Sequence, residues 1–194
     1  MTLENLRIGC AMTGSFCTFR KAFGAWRRLK EAGAELVPIM SFNAATLDTR
    51  FYPAAEAMAE LGAIAGRRVM RTLAEVEPIG PKKLLDILVI APCTGNTLAK
   101  LAHGVADTPV TLAAKSHLRN GRPVVIAVST NDGLGANAAN IGALMARKHI
   151  YFVPFRQDDS REKPNSLVAD FDLLADSVAE AARGRQIQPV LREL

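Results

Sequence analysis

Strand-sized and helix-sized segments alternate along this sequence, which predicts an α/β fold: one three-layer domain whose mostly parallel sheet is covered on both faces. Three observations carry the prediction. DILVI (86–90) and PVVIAV (123–128) are apolar, largely β-branched runs of strand length, as strands buried on both faces require. Amphipathic segments of helix length separate the strands. The length of 194 residues, 49% hydrophobic and 22% charged, suits a single domain spanning 1–194.

The elements follow in order. RIGCAM (7–12) reads as a strand and TGSF (13–16) as a turn. Residues 18–32 read as a helix, because Phe19, Ala22, Phe23, Trp26 and Leu29 recur at helical spacing and Gly33 stands where a left-handed terminator is wanted. AELVPIM (34–40) is the next strand, with Pro38 predicting an early end or a bulge. The Ala-rich segment 53–65 is a helix, RRVMRT (67–72) a short strand, and EVEPIGPKK (75–83) a loop by its prolines and glycine. After DILVI come helices at 95–103 and 111–120, the strand PVVIAV, a helix around 138–147, a short strand IYFV (150–153) and a closing helix over 170–183. RQDDSREKPNS (156–166) reads as a mobile loop. The pattern is Rossmann-like.

In such a sheet, ligands bind at the carboxyl ends of the strands where strand order reverses. If the first strand and DILVI are neighbours there, TGSF faces APCTGN (91–96), and both loops present hydroxyls, amides and free N–H groups at helix N-termini, which favour a phosphate. Thr13, Gly14 and Ser15 can wrap a phosphate, or Ser15 or Thr18 can simply cap a helix. Ser41 and Asn43 follow the second strand and can hold a ligand or form an ordinary turn. Pro92, Thr94, Asn96 and Thr97 lie between a buried strand and an apolar helix, where polar side chains must find partners. Cys17 and Cys93 stand near helix N-termini, where a thiolate is favoured, although unpaired cysteines are more commonly small apolar fillers. STNDGLGANAAN (129–140) can lie over a planar ligand or merely loop back. His103, His117 and His149 are far apart, which points to surface or capping roles and to no Ser/His/Asp order.

The absence of a Gly-Lys-Ser/Thr run or a GxGxxG pattern in the first loop removes support for ATP or ordinary NAD binding here. Three cysteines without CxxC spacing argue against disulfides and structural zinc. The net charge of +5 comes from scattered basic pairs without interleaved aromatics, so the expected partner is a small anion and not nucleic acid. Apolar runs are only strand-sized and charge appears within the first residues, so neither a membrane span nor a signal peptide is expected, and the location is read as cytoplasmic.

TGSF after the first strand, SFN after the second and APCTGNTLAKLAHGVADTPV after DILVI together resemble the flavoprotein family of homo-oligomeric flavin-containing cysteine decarboxylases, over about the first 130 residues. The resemblance implies FMN held by the loops at 13–17, 41–43 and 92–97, and a homo-oligomer. Two family features are missing. The decarboxylases' His falls eight residues before Asp86, where this chain has Pro78, and their PxMNxxMW clamp is replaced by STNDGLGANAANIGAL. EPIGPKKLLDILVIAPCTGNTLAKLA, DTPVTLAAKSHLRNGRPVVIAVSTND and HIYFVPFRQDDSREKPNSLVA instead resemble the dipicolinate synthase B-subunit family of spore-forming bacteria over nearly the whole chain. That resemblance implies a partner, the synthase's A subunit, which is similar to an NAD(P)-dependent dehydrogenase. It also implies conversion of dihydrodipicolinate to dipicolinate in the mother-cell cytoplasm during sporulation. Lys115 and Arg119 are candidate partners for the substrate carboxylates. A non-catalytic scaffold and a divergent flavin-dependent decarboxylase remain as alternatives.

Overall fold

β1 (Arg7–Met12) and β3 (Ile87–Cys93) lie side by side in parallel, Ile8 opposite Ile87 and Ala11 opposite Ile90. The adjacency follows from their residues: β3 is buried along its whole length, which requires strands beside it and helices on both faces. A computed structural model of the chain describes residues 3–192, so the extreme ends of the predicted 1–194 domain lie outside the described residues. β2 (Glu35–Met40) adds to the outer side of β1, and β4 (Val124–Thr130) to the far side of β3. The order β2-β1-β3-β4 therefore reverses between β1 and β3, as the loop argument requires.

Helix α1 (Phe19–Glu31) buries Phe19, Ala22, Phe23, Trp26 and Leu29, and Gly33 ends its turn at φ +91°. Short α2 (Phe42–Thr46) and then α3 (Ala54–Ala65) follow β2. Helix α4 (Leu73–Val76) and a 3₁₀ turn (Glu77–Ile79) occupy the segment predicted as a loop, because Thr72 and Glu75 form a reciprocal capping box. After β3 come α5 (Gly95–Ala102) and α6 (Pro109–Arg119), and α7 (Ala138–Met145) follows β4. β5 (Ile150–Phe152) pairs in parallel with the first half of β4. Helix α8 (Leu174–Ala182) closes the domain, touching α1, β3 and β4, and the predicted helix at 170–183 starts as a 3₁₀ turn over Phe171–Leu173. Among the described residues, no helix is long and apolar enough to cross a membrane.

Four expectations are corrected. Pro38 neither ends nor bulges β2: it keeps register opposite Cys10, and its carbonyl accepts from Met70 on the outer edge, so the N–H that proline lacks is not needed by β1. RRVMRT is not a strand but a single bridge between Met70 and Ile39. The predicted mobile loop at 156–166 is mostly a β-hairpin, β6 (Phe155–Asp159) and β7 (Lys163–Ala169), and β7 runs antiparallel to the end of β4 with Ser129 opposite Val168. His117 is neither at the surface nor a cap but buried on the inner side of α6.

Candidate functional site

Three loops leave the carboxyl ends of β1, β2 and β3 on one edge of the sheet and enclose a cavity of about 380 Å³. Thr13, Gly14, Ser41, Asn43, Thr94, Asn96 and Thr97 line it, joined by Phe42, Lys100, Asp107 and Thr108.

Most of the hydroxyls are already committed. Thr13, 1% exposed, donates its Oγ1–H to the Pro92 carbonyl at 2.8 Å and accepts the Thr94 N–H at 3.0 Å, so it ties β1 to the turn after β3. Pro92 stands behind the cavity as that acceptor and does not line it. Thr94 caps α5 by accepting the Thr97 N–H, and its hydroxyl lies 3.1 Å from that of Thr97. Ser41 caps α2 through Ala44. The carboxamides of Asn43 and Asn96, in contrast, make no side-chain hydrogen bond among the described residues. Lys100 holds Asp107 at 2.6 Å, and this hydrogen bond keeps the Asp107 carboxyl below its ordinary range. Free carboxamides, one ammonium group and the N-terminus of α5 form a donor set that fits a phosphorylated, hydroxylated ligand.

A second cavity, about 470 Å³, meets the first at Gly14 and Thr94. Ser15, Cys17 and Lys21 form one wall, and Ser129, Lys163 and Ser166 another. Ser15 and Thr18 are not side-chain caps. Ser15 Oγ lies 2.7 Å from Ser129 Oγ, and Thr18 donates back to the Ser15 carbonyl, so the loop is fastened to β4 instead. Cys17 is exposed, whereas Cys10 and Cys93 are fully buried and desolvation pushes both thiols up. That shift is the opposite of thiolate activation, so Cys93 acts as an apolar filler.

The segment 129–140 loops back over the start of α5. Asp132 accepts from Thr130 Oγ1 and from Asn137 Nδ2 at 2.8 Å, and Asn140 donates to Asn137 Oδ1 at 2.9 Å. This network leaves no room at Gly95, where an added Cβ would stand 2.6 Å from Thr130 Oγ1 and 2.8 Å from Asp132 Oδ1. Lys115 and Arg119 line neither cavity. Arg119 instead approaches Gly80 at the far end of α6. The cations that do line the cavities are Lys21, Lys100 and Lys163. Lys100 was open to detection, standing one helical turn after Asn96; Lys163 and Ser166 were concealed in the segment read as a loop.

Comparison with known proteins gives the chain's family and fold relatives. The family model described as Flavoprotein matches residues 1–163. The B subunit of dipicolinate synthase from Bacillus subtilis (strain 168) is 44% identical over 192 residues, covering 99% of this chain and 96% of that one. The crystal structure of the dipicolinate synthase B subunit from Bacillus halodurans C superposes with a TM-score of 0.91 at 44% identity, over 100% of this chain and 99% of that one. A dodecameric FMN-dependent UbiX-like decarboxylase from Escherichia coli O157:H7 superposes with a TM-score of 0.63 at 26% identity, over 77% of this chain and 80% of that one. A match over most of the sequence, a shared fold and the three-loop cavity lead to one conclusion: the chain belongs to the Flavoprotein family.

Proposed function

We propose that the chain is the B subunit of a dipicolinate synthase and holds FMN in the cavity between the loops at 13–17, 41–43 and 92–97. It works with a dehydrogenase-like A subunit that carries NAD(P), in the mother-cell cytoplasm, and it assembles as a homo-oligomer. The observation that carries the flavin reading is the pair of unpartnered carboxamides, Asn43 and Asn96, facing one cavity beside the N-terminus of α5. Converting dihydrodipicolinate to its aromatic product removes two electrons and two protons, and a bound flavin supplies an acceptor for that pair. The protein's own part is positioning. Asn43 and Asn96 donate to the ligand, Lys100 balances phosphate charge, and the Thr13–Thr94 tie holds the loops at fixed separation.

A second reading, a non-catalytic scaffold for the dehydrogenase-like partner, draws on one observation: among the described residues no histidine lines either cavity. Titrating the purified chain into FMN while following flavin fluorescence tests the first reading. Saturable binding at micromolar or tighter affinity, weakened in Asn96→Ala, supports it. No binding by a folded chain, or synthase turnover with the partner that Asn96→Ala leaves unchanged, favours the scaffold.

A further inference from the structure

The cavity between α1 and the β6–β7 hairpin shares Gly14, Ser15, Cys17 and Thr94 with the flavin loops, but its far wall has no counterpart in the three-loop argument. Its outer wall comes from Lys163, Ser166, Leu167 and Val168 of β7, and the last three lie beyond the segment that the family model matches. We propose that this cavity is a separate subsite for a small planar dicarboxylate, with Lys21 and Lys163 receiving its two carboxylates. The identity of the dianion, pyridine-2,6-dicarboxylate and its dihydro form, rests on the synthase reading; the site itself rests on its lining.

Four features point to this ligand class. Two lysines line one cavity from different elements, Lys21 from α1 and Lys163 from β7. Asp158, on the same wall, holds Lys163 at 3.1 Å, so that cation is positioned but remains more than half exposed to an incoming anion. Ser166 lines the cavity, and its hydroxyl makes no side-chain hydrogen bond among the described residues and is not sealed from solvent, so it is open to an incoming oxygen. Phe16 and Phe51 add aromatic surface for a flat ring, and Phe51 is 45% exposed although it lines the cavity. At about 470 Å³ the space lies within the usual range for small-molecule clefts. It shares Gly14 and Thr94 with the loop cavity, which would set the dicarboxylate ring next to the proposed flavin.

Calorimetric titration of the full chain with dipicolinate and with pyridine-2-carboxylate, each with and without saturating FMN, tests the proposal. Dipicolinate should bind saturably, and the monocarboxylate at least about ten-fold more weakly, as expected for loss of one charge-assisted contact. Lys21→Ala and Lys163→Ala, both surface changes, should each weaken dipicolinate by about ten-fold or more and leave FMN affinity unchanged. Absence of dipicolinate binding to the wild-type chain, or equal affinity in both lysine variants and wild type, overturns the subsite. FMN failing to bind while dipicolinate binds in a lysine-dependent way overturns the flavin reading alone.

Discussion

One hydroxyl group joins Thr13 to Thr94: Thr13 Oγ1 accepts the Thr94 N–H at 3.0 Å while it donates to the Pro92 carbonyl at 2.8 Å. Replacing Thr13 by Val keeps the shape, strands the Thr94 N–H and leaves the Pro92 carbonyl with only the Thr13 backbone N–H at 3.2 Å. We expect a loss of about 1–3 kcal/mol in stability, because unmade buried hydrogen bonds carry their full desolvation penalty. Urea unfolding of the two proteins checks this, read as a lower midpoint at constant slope. Thr13→Ser keeps the hydroxyl and should recover most of the loss; a Val variant as stable as wild type would show that the tie contributes little.

Gly95→Ala is the second expected loss. Alanine is the better helix former, so helix propensity alone predicts a gain of up to about 1 kcal/mol. The added Cβ would meet Asn137, Thr130 and Asp132, the last two at 2.6 and 2.8 Å, and these three are fixed by their own hydrogen bonds. Overpacking of this kind costs about 1–3 kcal/mol, so the clash should win. Thermal melts decide the sign, and FMN titration should show weaker binding as the start of α5 shifts.

These two sites also mark what could be read in advance. The strand and loop holding Thr13, and the capped start of α5, were legible because apolar runs of strand length end abruptly in polar, glycine-containing turns. The hairpin was not. Half-buried and exposed residues dominate β6 and the first part of β7, so no apolar alternation signals a strand, and the segment is ordered by pairing with Ser129 and Thr130 of distant β4. His117 was hidden for a related reason. The buried side of α6 carries Thr111, Ser116 and His117 among its alanines, and a polar letter does not announce burial. The loop chemistry placed the first cavity, whereas the second depended on tertiary pairing that has no local code.

His117 gives a prediction in pH. Burial, then the charge of Arg122, lower its pKa from 6.5 to about 4, against weaker opposing effects from the Pro123 and Asp86 backbone and the Asp86 carboxylate. A histidine with a lowered folded pKa binds fewer protons folded than unfolded between those two values, so stability rises with pH across that window. The contribution is complete above about pH 6.5 and is lost as pH falls toward 4, amounting to as much as about 3 kcal/mol. Asp86 is held below the ordinary carboxylate range chiefly by its hydrogen bond with Arg7, and Glu75 and Glu180 are lowered chiefly by hydrogen bonds from Arg71 and Arg185. These groups lose their own contributions at the acid end of this window, and those losses persist in His117→Leu. Urea unfolding at stepped pH should show the slope in wild type and a flatter profile in His117→Leu. Parallel profiles would remove His117 as the source.

The three cysteines should separate cleanly by reactivity. Cys10 and Cys93 are fully buried, with thiols pushed up by desolvation, while Cys17 is exposed on the wall of the hairpin cavity. A thiol reagent reacts through the thiolate and needs access, so the native chain should consume one equivalent rapidly and the other two only on unfolding. Cys17→Ser should abolish the fast phase and nothing else. Because Cys17 shares its cavity with Lys21 and Lys163, saturating dipicolinate should slow that phase in wild type and fail to slow it in Lys21→Ala. Protection by dipicolinate that survives the lysine change would place the dianion somewhere other than between α1 and the hairpin.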